Sequence, residues 1–147
     1  MKRWLAVVMM LISTQAVVGC LGSKQAWTPG EPVVTSDVCI VLQHVFRRKN
    51  RLFVRMVMMN LTSSALTVHR DALTLRLNTG RTLQRSSGMT TTHKPYDLAP
   101  GASREVWVDF RSDDIPKGTS AQLLWKDAVF AGTRAVEIPD TPIFVGH

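Results

Sequence analysis

The chain of 147 residues has two cysteines, Cys20 and Cys39, too few for a disulfide-stapled fold. Its longest uncharged apolar run, Trp4 to Ile12, is about half of the roughly 20 residues that a helix needs to cross a bilayer core. No stretch longer than about ten residues carries a clean 3.6-residue repeat between breakers, which removes helices as the framework. Familiar reaction motifs are missing too. There is no G-x-S-x-G turn, and Ser86, Ser87, Ser103 and Ser120 lie in polar, turn-like segments. Asp109, Asp113 and Asp114 are close in sequence but read as a solvated loop, not as two carboxylates flanking a cleft. His44, His69, His93 and His147 are scattered, and no two have zinc-ligand spacing. These absences favour a binding domain over an enzyme.

What is present begins with an address. Lys2 and Arg3 precede the apolar run, and Ser13, Thr14, Gln15 and Ala16 follow it. Charge, apolar core and small residues in that order form a secretory signal. Val17-Val18-Gly19-Cys20 resembles the lipobox of bacterial lipoproteins. That resemblance implies diacylglycerol on the Cys20 sulfur, cleavage before it, and a further acyl chain on the new N-terminus. Each buried methylene contributes about 0.8 kcal/mol, so several chains anchor without a protein helix. In a Gram-negative cell, Leu21 in place of Asp implies onward export to the periplasmic face of the outer membrane. The expected organisation is a signal over 1–19, a lipidated tether over 20–32 rich in Gly, Ser and Pro, and one domain over 33–147.

The formal charge is +7, and +5 once Lys2 and Arg3 leave with the signal. A mildly basic exported chain suits an anionic surface, cell-wall acids or an acidic partner protein, and not nucleic acid. Lipid on Cys20 leaves Cys39 without a partner inside the chain; its strand-like flanks predict a buried free thiol, with an intermolecular disulfide or a metal ligand as the alternatives.

From Val33 onward the pattern is β. Val38, Ile40 and Leu42 share one face of an extended run. Whether His44 or Val45 continues that face depends on a register change. Arg47 to Asn50 forms a charged turn into a second strand. There Leu52, Val54, Met56 and Met58 lie on one side, and Phe53, Arg55, Val57 and Met59 on the other. Such a strand is apolar on both faces. Leu73, Leu75 and Leu77 alternate with polar residues before an Asn78-Thr79-Gly80 turn. Residues 85–97 show no regular element. Pro100-Gly101 is a turn, followed by Val106, Val108 and Phe110 alternating with Trp107 and Asp109. Residues 121–132 and 133–139 hold the last strands, and the tail past Pro139 is placed along an edge. About seven short strands predict an all-β, antiparallel immunoglobulin-like β-sandwich.

Residues 54–83 and 98–110 look like the DUF4352-type immunoglobulin-like domains of bacterial lipoproteins. The matching positions are Asn60, Leu73, Leu75, Gly80, Pro100, Gly101 and Phe110. The resemblance implies an extracytoplasmic fold and no particular activity. Asn60 is expected to bond loop backbone where its strand ends.

Two candidate sites follow. Arg47, Arg48, Lys49 and Arg51 crowd the first hairpin tip, a contact patch for an envelope protein or cell-wall component. The polar insert Gly88–Tyr96 is the second candidate contact. No cofactor is called for. The alternative is a periplasmic copper carrier, in which Met89 and His93 are the leading soft ligands, with His69, Met56, Met58 and Met59 behind them. Alternation instead assigns Met56 and Met58 to the core. Trp107 and Trp125, both placed in strands, are also assigned to the core.

Overall fold

The computed structural model describes residues 31–85, 93–111, 113, 115–116 and 118–145. They form twelve antiparallel strands in three four-stranded sheets. The first sheet has the order β1-β2-β3-β8, where β1 is Val33–Val34, β2 Val38–Arg48, β3 Arg51–Asn60 and β8 Ser103–Arg111. The second contains β4 (Leu66–Val68), β7 (Tyr96–Leu98), β10 (Val129–Ala131) and β11 (Arg134–Ala135), in the order β11-β10-β4-β7. The third contains β5 (Thr74–Leu77), β6 (Thr82–Gln84), β9 (Thr119–Leu124) and β12 (Thr141–Val145), in the order β12-β9-β5-β6. The two short sheets match position for position. Chain neighbours β4 and β5 hold the same place, as do β6 and β7, β9 and β10, and β11 and β12. Together they act as four long strands, each interrupted in the middle, facing the unbroken first sheet. That explains why about seven strands were expected and twelve are found. It also corrects the reading of 85–97, because Tyr96–Leu98 pairs with β4.

One core fills the space between the layers. From the first sheet come Val38, Ile40, Val45, Leu52, Val54, Met56, Met58, Val106, Val108 and Phe110. From the broken layer come Leu66, Val68, Leu73, Leu75, Leu123 and Val129. The doubt at His44 and Val45 is resolved by a β-bulge. Leu42 faces Met56 and His44 faces Arg55, so Gln43 is the extra residue. The bulge shifts the alternation by one and turns Val45 into the core.

Turn chemistry sets the corners. Gly80 at φ 84 donates to the Leu77 carbonyl at 2.9 Å and closes the β5–β6 hairpin. Gly101 at φ 70 follows Pro100 in a turn closed by Ala102 N–H to the Ala99 carbonyl at 3.0 Å, as a type II turn requires. Asn60 is fully buried. Its amide donates to the carbonyls of Ser64 and Leu98, both at 2.8 Å, and its oxygen accepts from the Thr62 backbone and hydroxyl. It fastens the end of β3 to the following loop and to β7, the role its position predicts. Trp125 is buried just past β9 and donates to the Thr141 hydroxyl at 2.9 Å. Among the described residues no helix is long and apolar enough to cross a membrane.

Candidate functional site

The basic hairpin tip divides once it is folded. Lys49 takes φ 54 in a two-residue turn between Arg48 and Arg51. The inward side chain of Arg47 donates to the Ile115 carbonyl in the β8–β9 connection. Arg51 reaches across the outer face of the first sheet to Asp109, at 3.1 Å. Of four predicted contact residues, Arg47 and Arg51 therefore bridge elements of the sandwich, and Arg48 and Lys49 are exposed.

A larger cluster lies where β8, the free edge of the first sheet, meets the break in the other layer. That break carries a 3₁₀ turn, Arg70–Ala72, packed against β8. Odd positions of β8 point outward, which places Trp107 and Asp109 on that face. Asp109 is nevertheless buried, because Arg51 lies on one of its oxygens and Arg85 Nε stands 3.7 Å from the other. Arg85 also pairs with Asp71 of the 3₁₀ turn. Asp71 in turn accepts the His93 backbone N–H at 2.9 Å. The chain Arg51–Asp109–Arg85–Asp71–His93 thus ties Arg85 and His93 to the sheet. This overturns the reading of Asp109 as a solvated loop carboxylate, since a buried carboxylate persists only with such partners.

Aromatic rings continue the chain. The His93 ring meets Trp107 edge-on at 5.7 Å. The Arg70 guanidinium stands 5.4 Å from the Trp107 ring centre and 5.9 Å from that of Tyr96. Arg104 lies over the Tyr96 ring at 4.1 Å. Cations and rings alternate from Arg104 to His93. Trp107 is 41% exposed, which corrects its assignment to the core. The alternation on β8 already pointed it outward. The cluster holds polar atoms that are buried without a hydrogen-bond partner among the described residues: Arg70 Nε, His93 Nδ1 and the Tyr96 hydroxyl.

These neighbours set protonation. His93 titrates below the ordinary imidazole value, chiefly through burial and then through the charges of Arg85 and Arg70. Arg85 lies 3.4 Å from Nε2. A guanidinium can only donate, so a hydrogen bond at this contact requires Nε2 to accept, which puts the neutral ring's proton on Nδ1, 3.6 Å from Asp71. Burial raises the Tyr96 phenol, against the pull of Arg104 and Arg70. The same two arginines that lower His93 oppose a copper cation there. Met89 and Cys20 lie outside the described residues. Among those described, no group of three or more His, Cys, Asp or Glu could hold a metal ion. Cys39 is a free thiol, half-buried and not fully buried as its apolar flanks predict.

On the β2–β12 side lies an apolar groove of about 480 Å³. Leu42, Leu77, Ala121, Ile143 and Phe144 line it, with Arg76 among its polar members. Arg76 is already tied to Asp140 and Gln122, each at 2.6 Å. The strands beside the groove have blunted edges: Pro142 lacks an N–H, and β2 carries the bulge.

No family model and no curated protein matches the chain. Among solved structures, the yjhA protein from Bacillus subtilis aligns with a TM-score of 0.50 at 14% identity, over 63% of this chain and 76% of that one. A conserved hypothetical protein from Bacillus anthracis aligns at 0.44 and 11%, over 64% and 85% of the two chains. An uncharacterized β-sandwich protein from Clostridium difficile aligns at 0.43 and 9%, over 75% and 93%. At 14% identity, the likeness to the first concerns the fold alone.

Proposed function

We propose that this chain is a membrane-anchored envelope lipoprotein whose sandwich binds another envelope protein or a cell-wall component. The leader and the Val17–Cys20 sequence support the anchor. The binding role rests on one observation. Arg70 and Arg104 sit against the Tyr96 ring with no carboxylate partner among the described residues, beside an exposed Trp107. Aromatic and arginine side chains held on a rigid sheet are the usual anchors of a contact surface. The outward parts of the basic tip, Arg48 and Lys49, extend the same positive character.

Mass spectrometry of the chain purified from its native host tests the anchor. The expected N-terminal peptide begins at a triacylated Cys20. Cys20→Ser is expected to leave the membrane fraction and to lose its envelope cross-links. An unmodified thiol at position 20 contradicts the proposal.

A further inference from the structure

We propose that Arg70 and Arg104, on the Tyr96 ring, form an oxyanion site for a carboxylate of peptidoglycan fragments; this rests on the envelope reading above. The domain treats its arginines unequally. Arg51, Arg55, Arg76, Arg85, Arg111 and Arg134 each have a carboxylate within 4.0 Å. Arg70 and Arg104 have none among the described residues, although both are held in place. Arg104, 4.1 Å from the Tyr96 ring centre, spends a flat face on the ring, which leaves its in-plane N–H groups to donate, and Arg70 stands between the Tyr96 and Trp107 rings at 5.9 and 5.4 Å. Packing of Arg104 on the ring also limits the entropy that a ligand must remove.

The unmatched groups share one chemistry. The guanidinium N–H groups of both arginines can only donate, and Arg70 Nε–H and the Tyr96 hydroxyl are buried with no acceptor among the described residues. A buried donor is costly to leave unpaired, so a missing acceptor is the partner that relieves the site. Asp71 and Asp109 do not fill this role, because Arg85 and Arg51 occupy them. An acceptor carrying negative charge gains from both cations. Exposed Trp107 stands alongside and supplies a flat wall for the apolar face of a sugar ring. Carboxylate and sugar ring occur together in the disaccharide peptides of the wall, which is why that source is chosen over a free phosphate or a lipid headgroup.

The test titrates the full lipidated chain, in detergent micelles, with soluble disaccharide-peptide fragments of peptidoglycan. Inorganic phosphate and anionic phospholipid vesicles form separate arms. The readouts are heat of binding and the Trp107 indole N–H resonance, identified with Trp107→Phe. Saturable binding of the fragments is expected, with a shift of that resonance. Arg104→Ala is expected to weaken it roughly tenfold or more, and Tyr96→Phe to weaken it less. Arg104 is exposed, so its variant is expected to melt like the parent, whereas Arg134→Ala, on the distant β11 edge, is expected to bind like the parent. The proposal is overturned if no fragment binds, or if Arg104→Ala binds as tightly as the parent. Phosphate or vesicles binding at this site as tightly as the fragments overturn the carboxylate assignment. Absence of lipid on Cys20 defeats the envelope reading. A lipidated chain whose Arg104→Ala variant binds normally defeats this inference alone.

Discussion

The two open sides of the sandwich are finished in different ways. Between β8 and the broken layer, the gap is spanned by charge and ring: Arg51, Asp109, Arg85, Asp71 and His93, then Trp107, Arg70, Tyr96 and Arg104. Where β12 lies against β2, there is an apolar groove with a half-exposed Phe144. The first side depends on a buried carboxylate that cannot lose a partner cheaply. The second needs nothing beyond ordinary packing, and its blunted strand edges guard against pairing with another chain. The polar side therefore combines rigidity with unmatched donors, and that combination is what a recognition surface requires.

The contrast can be broken most severely at Asp109. Asp109→Ala leaves Arg51 and Arg85 facing each other without the carboxylate between them, and is expected to cost about 3 kcal/mol in urea denaturation. A loss below about 1 kcal/mol would mean the ladder carries little of the fold. Arg85→Ala removes the bridge but leaves Asp109 with Arg51. About 2 kcal/mol is expected, together with faster amide exchange at the His93 backbone N–H that Asp71 holds.

A pH effect comes next. The folded chain holds His93 below the ordinary value of 6.5, so the unfolded chain takes up a proton that the folded chain resists. The associated stability is fully present above about 6.5 and falls as acid is added toward the lower folded value, with no further loss beneath it. His93→Gln is expected to flatten stability between about pH 7.5 and pH 5. A slope identical to the parent's would contradict the placement of His93 beside Arg85 and Arg70.

The smallest effects sharpen the comparison. The cross-strand pair Arg55–Glu105 repeats the chemistry of Arg51–Asp109 four residues along β3, but in water, with both side chains more than 40% exposed. Glu105→Ala is expected to cost under about 0.5 kcal/mol. On the groove side, Phe144→Ser is expected to stay within about 0.5 kcal/mol of the parent.

The fold was readable wherever a period or a turn residue carries it. Alternation from Val38 to Leu42 and from Leu52 to Met58 located the first hairpin, and Gly80 and Pro100-Gly101 located two corners. The bulge at Gln43 was visible only as an ambiguity, because either His44 or Val45 fits the pattern until a partner strand fixes the register. Tyr96–Leu98 is too short to show a period, and its pairing with β4 spans a long separation in sequence. The polar cluster was harder still. Local spacing places Trp107 and Asp109 outward, but it does not show that Arg51, Arg70 and Arg85 converge on them from three other elements. Four cations crowded within residues 47–51 at the hairpin tip drew attention for the opposite reason, since nothing local reveals that Arg47 and Arg51 are already engaged.

Site-specific photo-cross-linking in the native host tests the central claim most directly, with one photoreactive residue at position 107 and, in a second strain, at position 144. Adducts to envelope material are expected from position 107, and they should be lost when Arg104→Ala is added. Equal adducts from both positions, or adducts from position 144 alone, would contradict the assignment of binding to the cation–aromatic side.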